Sequence, residues 1–116
     1  MANNIAFQPM GKTYQVTASN VAANTITVTA NTPSNQYLVI SHEKANGTGH
    51  PVYIRISATS ANAAVPDGNG QYGIPIPPGA HIVFTGPQCG PNNAVYFSAI
   101  AETDSPEVYV TPGEGL

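Results

Sequence analysis

The chain reads as an all-β domain, an antiparallel β-sandwich or small barrel of about eight strands. Eleven Pro and eleven Gly are spread along its 116 residues and leave no convincing stretch of helical periodicity. Between them lie short runs of β-branched and aromatic residues, many alternating with polar ones. Turn signals punctuate these runs at the spacing expected of a sandwich or barrel. A domain of this size buries roughly 65% of its unfolded surface, enough for one core without covalent staples.

Met1–Gly11 is expected to be an extended arm. Thr13–Ala18 places Tyr14 and Val16 on one strand face. Thr25–Thr29 (T-I-T-V-T) turns Ile26 and Val28 inward and its threonines outward. Gln36–Ser41 (Q-Y-L-V-I-S) is a continuous apolar run, expected to be covered on both faces. Asn46-Gly47 tolerates positive φ within a loop from His42 to Pro51. Val52–Ser57 sets Val52, Ile54 and Ile56 against Tyr53 and Arg55.

Ala58–Val65 reads as a loop or one short helical turn, and Asp67-Gly68-Asn69-Gly70 as a tight reversal. Tyr72–Ile76 is a weaker strand whose Pro75 favours an edge or a bulge. Pro77-Pro78-Gly79 is a turn with Gly79 in the left-handed position. His81–Thr85, Val95–Ile100 and Val108–Thr111 complete the strands. Thr111–Leu116 is expected to be a second extended arm with little to offer a sheet. No repeat or linker divides the chain, so residues 1–116 read as one domain with arms at 1–11 and 111–116.

Only 8% of residues are charged, against roughly 25% in an ordinary soluble domain. A β monomer usually keeps its edges and surface free of partners with charge. A charge-poor one is expected to be covered by other subunits, which points to assembly. Net charge is −3 and the three cations are Lys12, Lys44 and Arg55. Counterion release on a phosphate backbone has almost nothing to work with, so nucleic acid is not an expected partner. An anionic membrane surface is disfavoured for the same reason. No apolar run approaches the roughly 20 residues of a membrane-spanning helix. The opening residues lack the basic and apolar regions of a signal peptide, so a cytoplasmic origin is expected. The single Cys89 has no intrachain partner. A small buried hydrophobe is its favoured role, ahead of an interface residue or a free thiol.

No catalytic, cofactor or metal residue is assigned. His42 and Glu43 are adjacent and would face opposite ways on a strand. His42 and His50 share a loop, but two ligands make no zinc site. No nucleophile-elbow motif occurs. Asp67 and the Glu102/Asp104/Glu107 group do not match a calcium loop and read as turn chemistry and solubilising charge. Six acids without Trp make a poor glycan-cleaving cleft. The six tyrosines fall mostly in expected strands, where core packing with hydroxyls at the rim competes with a carbohydrate platform or interface hot spot. Arg55, the only arginine, lies mid-strand and suits an acidic partner across a subunit boundary.

Pro51–Ser57 (P-V-Y-I-R-I-S), Ile74–Gly79 (I-P-I-P-P-G), Val95–Ala101 (V-Y-F-S-A-I-A) and Val108–Gly115 (V-Y-V-T-P-G-E-G), with Phe7–Tyr14 (F-Q-P-M-G-K-T-Y), together resemble small capsid decoration, or cement, proteins of tailed bacteriophages. The resemblance implies a jelly-roll sandwich; strand count alone allows an immunoglobulin-like one equally. It also implies a structural, non-enzymatic virion protein made in the host cytoplasm. Such a protein binds the outer capsid surface and ties major capsid subunits together, as a homotrimer by preference or a homodimer next. No cofactor is implied. Contacts are expected from the N-terminal arm (Ile5, Phe7, Met10), from Arg55 and from the C-terminal tail (Pro112, Leu116). The competing expectations are a carbohydrate- or receptor-binding sandwich of a tail or fibre, with Tyr53 or Tyr72 near Asp67 and Asn69, and a head–tail structural component.

Overall fold

Nine strands and no helix occur among the residues described by the computed structural model, which are 7–42, 50–103 and 105–114. In chain order they are β1 (Gln8–Pro9), β2 (Tyr14–Thr17), β3 (Asn24–Val28), β4 (Ser34–His42), β5 (Val52–Ser57), β6 (Ile74–Ile76), β7 (His81–Cys89), β8 (Val95–Ala101) and β9 (Glu107–Glu114). The first sheet runs β2–β9–β4–β7, with β1 continuing the β2 edge of β9. The second runs β3–β8–β5–β6. Every pair of named strands is antiparallel.

The pairing has a simple logic. β2 pairs with β9, β3 with β8, β4 with β7, and β5 with β6. That is one long antiparallel ribbon, closed at its far end by the turn between β5 and β6. Rolling the ribbon brings β4 against β9 and β5 against β8. The result is the jelly roll rather than the immunoglobulin-like arrangement.

Alternation fills the space between the sheets. Val16, Tyr37, Val39, Val108 and Val110 come from the first sheet, and Val28, Val52, Ile54, Ile76, Phe97 and Ala99 from the second. Burying such side chains supplies most of the folding free energy, roughly 1.5–3 kcal/mol for a Val, Ile or Phe. Cys89 is fully buried in the same core. Beside it, the Tyr37 hydroxyl donates to the carbonyl of Pro87. Burial, then the neighbouring Cys89, raises the Tyr37 pKa well above the ordinary tyrosine range.

Three elements differ from expectation. The β4 run is not covered on both faces: Tyr37, Val39 and Ser41 are buried, while Leu38 is half-buried and Ile40 exposed. β7 continues through Gly86-Pro87 to Cys89, because it is an edge strand and a proline there need satisfy no outer neighbour. Thr111–Glu114 is not a free arm but the second half of β9. Ala58–Val65 takes the loop form, the first of its two expected readings.

Pro112 is tolerated in this interior strand for a geometric reason. Its carbonyl accepts from Met10 N at 3.0 Å, on the side where β1 and β2 leave a gap. A strand residue directs its N–H and C=O to the same side, so the missing N–H falls in that gap. Gly113 then lets the N-terminal segment close over β9. A Cβ there would collide with the Gln8 carbonyl and the Phe7 ring. Pro75 lies in β6, at the edge of the second sheet, as its sequence position suggested.

Candidate functional site

The sandwich offers two outer faces. On the first sheet, strand register aligns Gln15, Tyr109, Ile40 and His81 in one row, and Thr111, Leu38 and Val83 in the next. These positions alternate with the buried Val16, Val110 and Val39 and therefore face away from the core. Neither row contains a Lys, Arg, Asp or Glu. Ile40 is 38% exposed, and Leu38, Val83 and Tyr109 are half-buried around it. The Tyr109 ring meets His42 edge-on at 6.1 Å. Its hydroxyl accepts from Gln15 Nε2 at 3.4 Å, and the Thr13 and Thr111 hydroxyls lie 2.7 Å apart. The face is uncharged along its centre and apolar in its middle.

The second sheet's outer face is largely covered by its own chain. Between β5 and β6 the loop folds back, and Ala63 N donates to the Ser98 hydroxyl at 2.8 Å. Ser98 is fully buried as a result. Thr25 Oγ1 donates to Asn62 Oδ1 at 2.7 Å, and Ala64 N to the Tyr72 carbonyl at 3.0 Å. Gly73 is needed at this crossing, because a Cβ would run into the Ala64 carbonyl. At the loop tip Asp67 Oδ1 accepts from Asn69 N at 3.1 Å and Gln71 Nε2 at 3.4 Å, which is the turn role expected of it. Gly68 and Gly70 supply the positive φ of the reversal.

Where the loop returns to β6 it leaves a recess of about 240 Å³, lined by Arg55, Ser57, Tyr72 and Ile74 together with Ile54, Ile56 and Gly73. The Arg55 guanidinium carbon sits 4.0 Å from the Tyr72 ring centroid. Tyr72 is nevertheless 70% exposed. On the same sheet face, Tyr53 donates its hydroxyl to Glu102 Oε1 at 3.2 Å. Partial burial and that carboxylate raise the Tyr53 pKa.

The residues expected to make contacts fall in different places. Arg55 stands in the recess, stacked on a tyrosine rather than on an acid. Phe7 and Met10 are half-buried against their own sheet, with Asn31 N donating to Met10 O at 2.7 Å. Pro112 is fully buried within the fold and presents no surface. Ile5 and Leu116 lie outside the described residues. Among the described residues the fold brings Phe7 and Met10 beside Pro112 and Gly113 at one edge of the first sheet, while Arg55 stands on the second sheet. Leu38, Ile40 and Val83 were not singled out as contact residues in the sequence, since a continuous apolar run gives no sign of which half faces outward; Tyr109 was, as one of six tyrosines. Among the described residues no three His, Cys, Asp or Glu could hold a common metal ion, and no helix is long and apolar enough to cross a membrane.

No family model, curated protein or solved structure matches the chain.

Proposed function

We propose that the chain is a structural virion protein, a capsid decoration protein that binds the outer capsid surface and ties major capsid subunits together. The observation that carries this reading is the outer face of the first sheet, uncharged along its centre, where Leu38, Ile40, Val83 and Tyr109 stand together. Interface cores are depleted of charge and enriched in aromatic residues, and this face has that composition. The jelly roll supplies a rigid support, and its strands hold the contact residues in fixed register. Further copies of the chain around a symmetry axis, a trimer by preference and a dimer next, would add avidity to individually weak contacts. The motif resemblance and the low charge support the same reading.

Co-sedimentation of the purified protein with capsids of the phage that encodes it tests the proposal. Saturable binding at many copies per head is the expected result. Ile40→Lys should lower that binding by tenfold or more, because the interface would bury an unpaired charge. Absence of binding, or a few copies confined to one vertex, would instead favour a head–tail component.

A further inference from the structure

We infer that the recess beside Arg55 is a binding site for a carboxylate-bearing monosaccharide, a sugar acid of the uronate class. This goes beyond the proposed decoration role and uses the opposite outer face of the sandwich.

The guanidinium is the anchor. Arg55 is the chain's only arginine and is half-buried. Among the described residues it makes no ion pair within 4.0 Å. The guanidinium carbon sits over the Tyr72 ring at 4.0 Å, a cation–π contact that holds the head group in the recess. Among the described residues nothing bonds its N–H groups, and their fork matches the two oxygens of a carboxylate. The chain carries a net charge of −3, so an anion gains little from its general field and binding must be local.

The rest of the recess fits a sugar ring better than a bare anion. Tyr72 is 70% exposed although one ring face lies under Arg55, so its other face is open. Ile74, 44% exposed, adjoins it. An amphipathic aromatic ring beside an apolar side chain offers a surface for the C–H face of a sugar, which a lone carboxylate would not use. β6 pairs with β5 only from Val52 to Ile54, so the β6-side edge of β5 is unladdered from Arg55 to Ser57. Unladdered backbone N–H and C=O groups on that edge can bond sugar hydroxyls. The volume of about 240 Å³ falls just below the roughly 300–1,000 Å³ of drug-sized pockets and suits one monosaccharide.

The test is an amide NMR titration of the isolated protein with sodium glucuronate, glucose and sodium acetate at constant ionic strength. It needs no capsid, so its failure is separate from any failure of the decoration reading. Glucuronate should shift the amides of residues 55–57 and 72–74 saturably, with glucose and acetate each at least tenfold weaker. Arg55→Gln and Tyr72→Ala should each weaken glucuronate binding about tenfold or more while leaving amides elsewhere unmoved. Arg55→Lys should not restore it, because an ammonium lacks the fork. Absence of a saturable shift with glucuronate overturns the proposal. Equal binding of acetate overturns the sugar component, and equal binding of glucose overturns the carboxylate component.

Discussion

On the outer face of the first sheet, Leu38, Ile40, Val83 and Tyr109 stand in register with no chain segment among the described residues bonded across them. On the outer face of the second, Ser98 is fully buried because the loop between β5 and β6 bonds across it. The strands obey one rule of alternation on both sheets, and the difference lies in a connection. An open apolar face spanning several strands suits a broad partner surface. A covered face exposes its margin, and there the covering loop and the short β6 enclose a space the size of one small ligand.

Phe97→Ala should break both faces at once. Phe97 is 1% exposed in the shared core, and its truncation costs about 3–5 kcal/mol. The denaturant midpoint should fall sharply in a single transition whether it is followed from Tyr109 or from Tyr72. Two separated transitions would mean that the faces rest on independently stable halves. Ser98→Ala should disturb only the second face. It leaves the Ala63 N–H without its acceptor, at about 1–3 kcal/mol. Amide exchange at Ala63 and Ala64 should accelerate, with protection in β4 and β9 unchanged. Equal acceleration in β9 would show that the loop stabilises the whole sandwich rather than one face.

Tyr37→Phe reaches the first sheet from within. The folded Tyr37 pKa is raised, by burial and then by Cys89, above an unfolded value of about 10. Below pH 10 both states hold the proton and its contribution to stability is fully present. As pH rises above 10 the unfolded state loses the proton first, so stability must fall. Wild-type denaturant midpoints should therefore drop between pH 9 and pH 11 more steeply than those of Tyr37→Phe. At neutral pH the variant should cost about 1 kcal/mol, the net worth of the hydroxyl's bond to Pro87. Parallel pH slopes in the two proteins would place the alkaline sensitivity elsewhere.

The same contrast explains what was legible in the sequence. Alternation at Thr25–Thr29 and Val52–Ser57 gave strands whose inward residues are those observed. Pro75 gave an edge. Local rules reach that far because a strand's facing depends on its own residues. Pro112 and Gly113 read as strand-ending because the rule against proline in a strand is local, whereas the gap between β1 and β2 that accommodates it is made by residues nearly a full chain length away. The exposed half of the β4 run and the cover over Ser98 are likewise long-range facts. Arg55 was visible as the only arginine, but its stacking on Tyr72 depends on where a sixteen-residue excursion returns, which no periodicity encodes.

The smallest effects on stability should give the cleanest separation of the faces. Ile40→Lys and Tyr72→Ala both alter exposed side chains on opposite sides of the sandwich, and each should shift stability by no more than about 0.5 kcal/mol. Their functional effects should cross. Ile40→Lys should lose capsid co-sedimentation and keep glucuronate binding. Tyr72→Ala should keep co-sedimentation and lose glucuronate. Because the two positions share no partner, the double variant should show the sum of the single effects in both assays. A Tyr72→Ala protein that no longer sediments with capsids would place the recess inside the docking interface, and the two faces would then act as one surface.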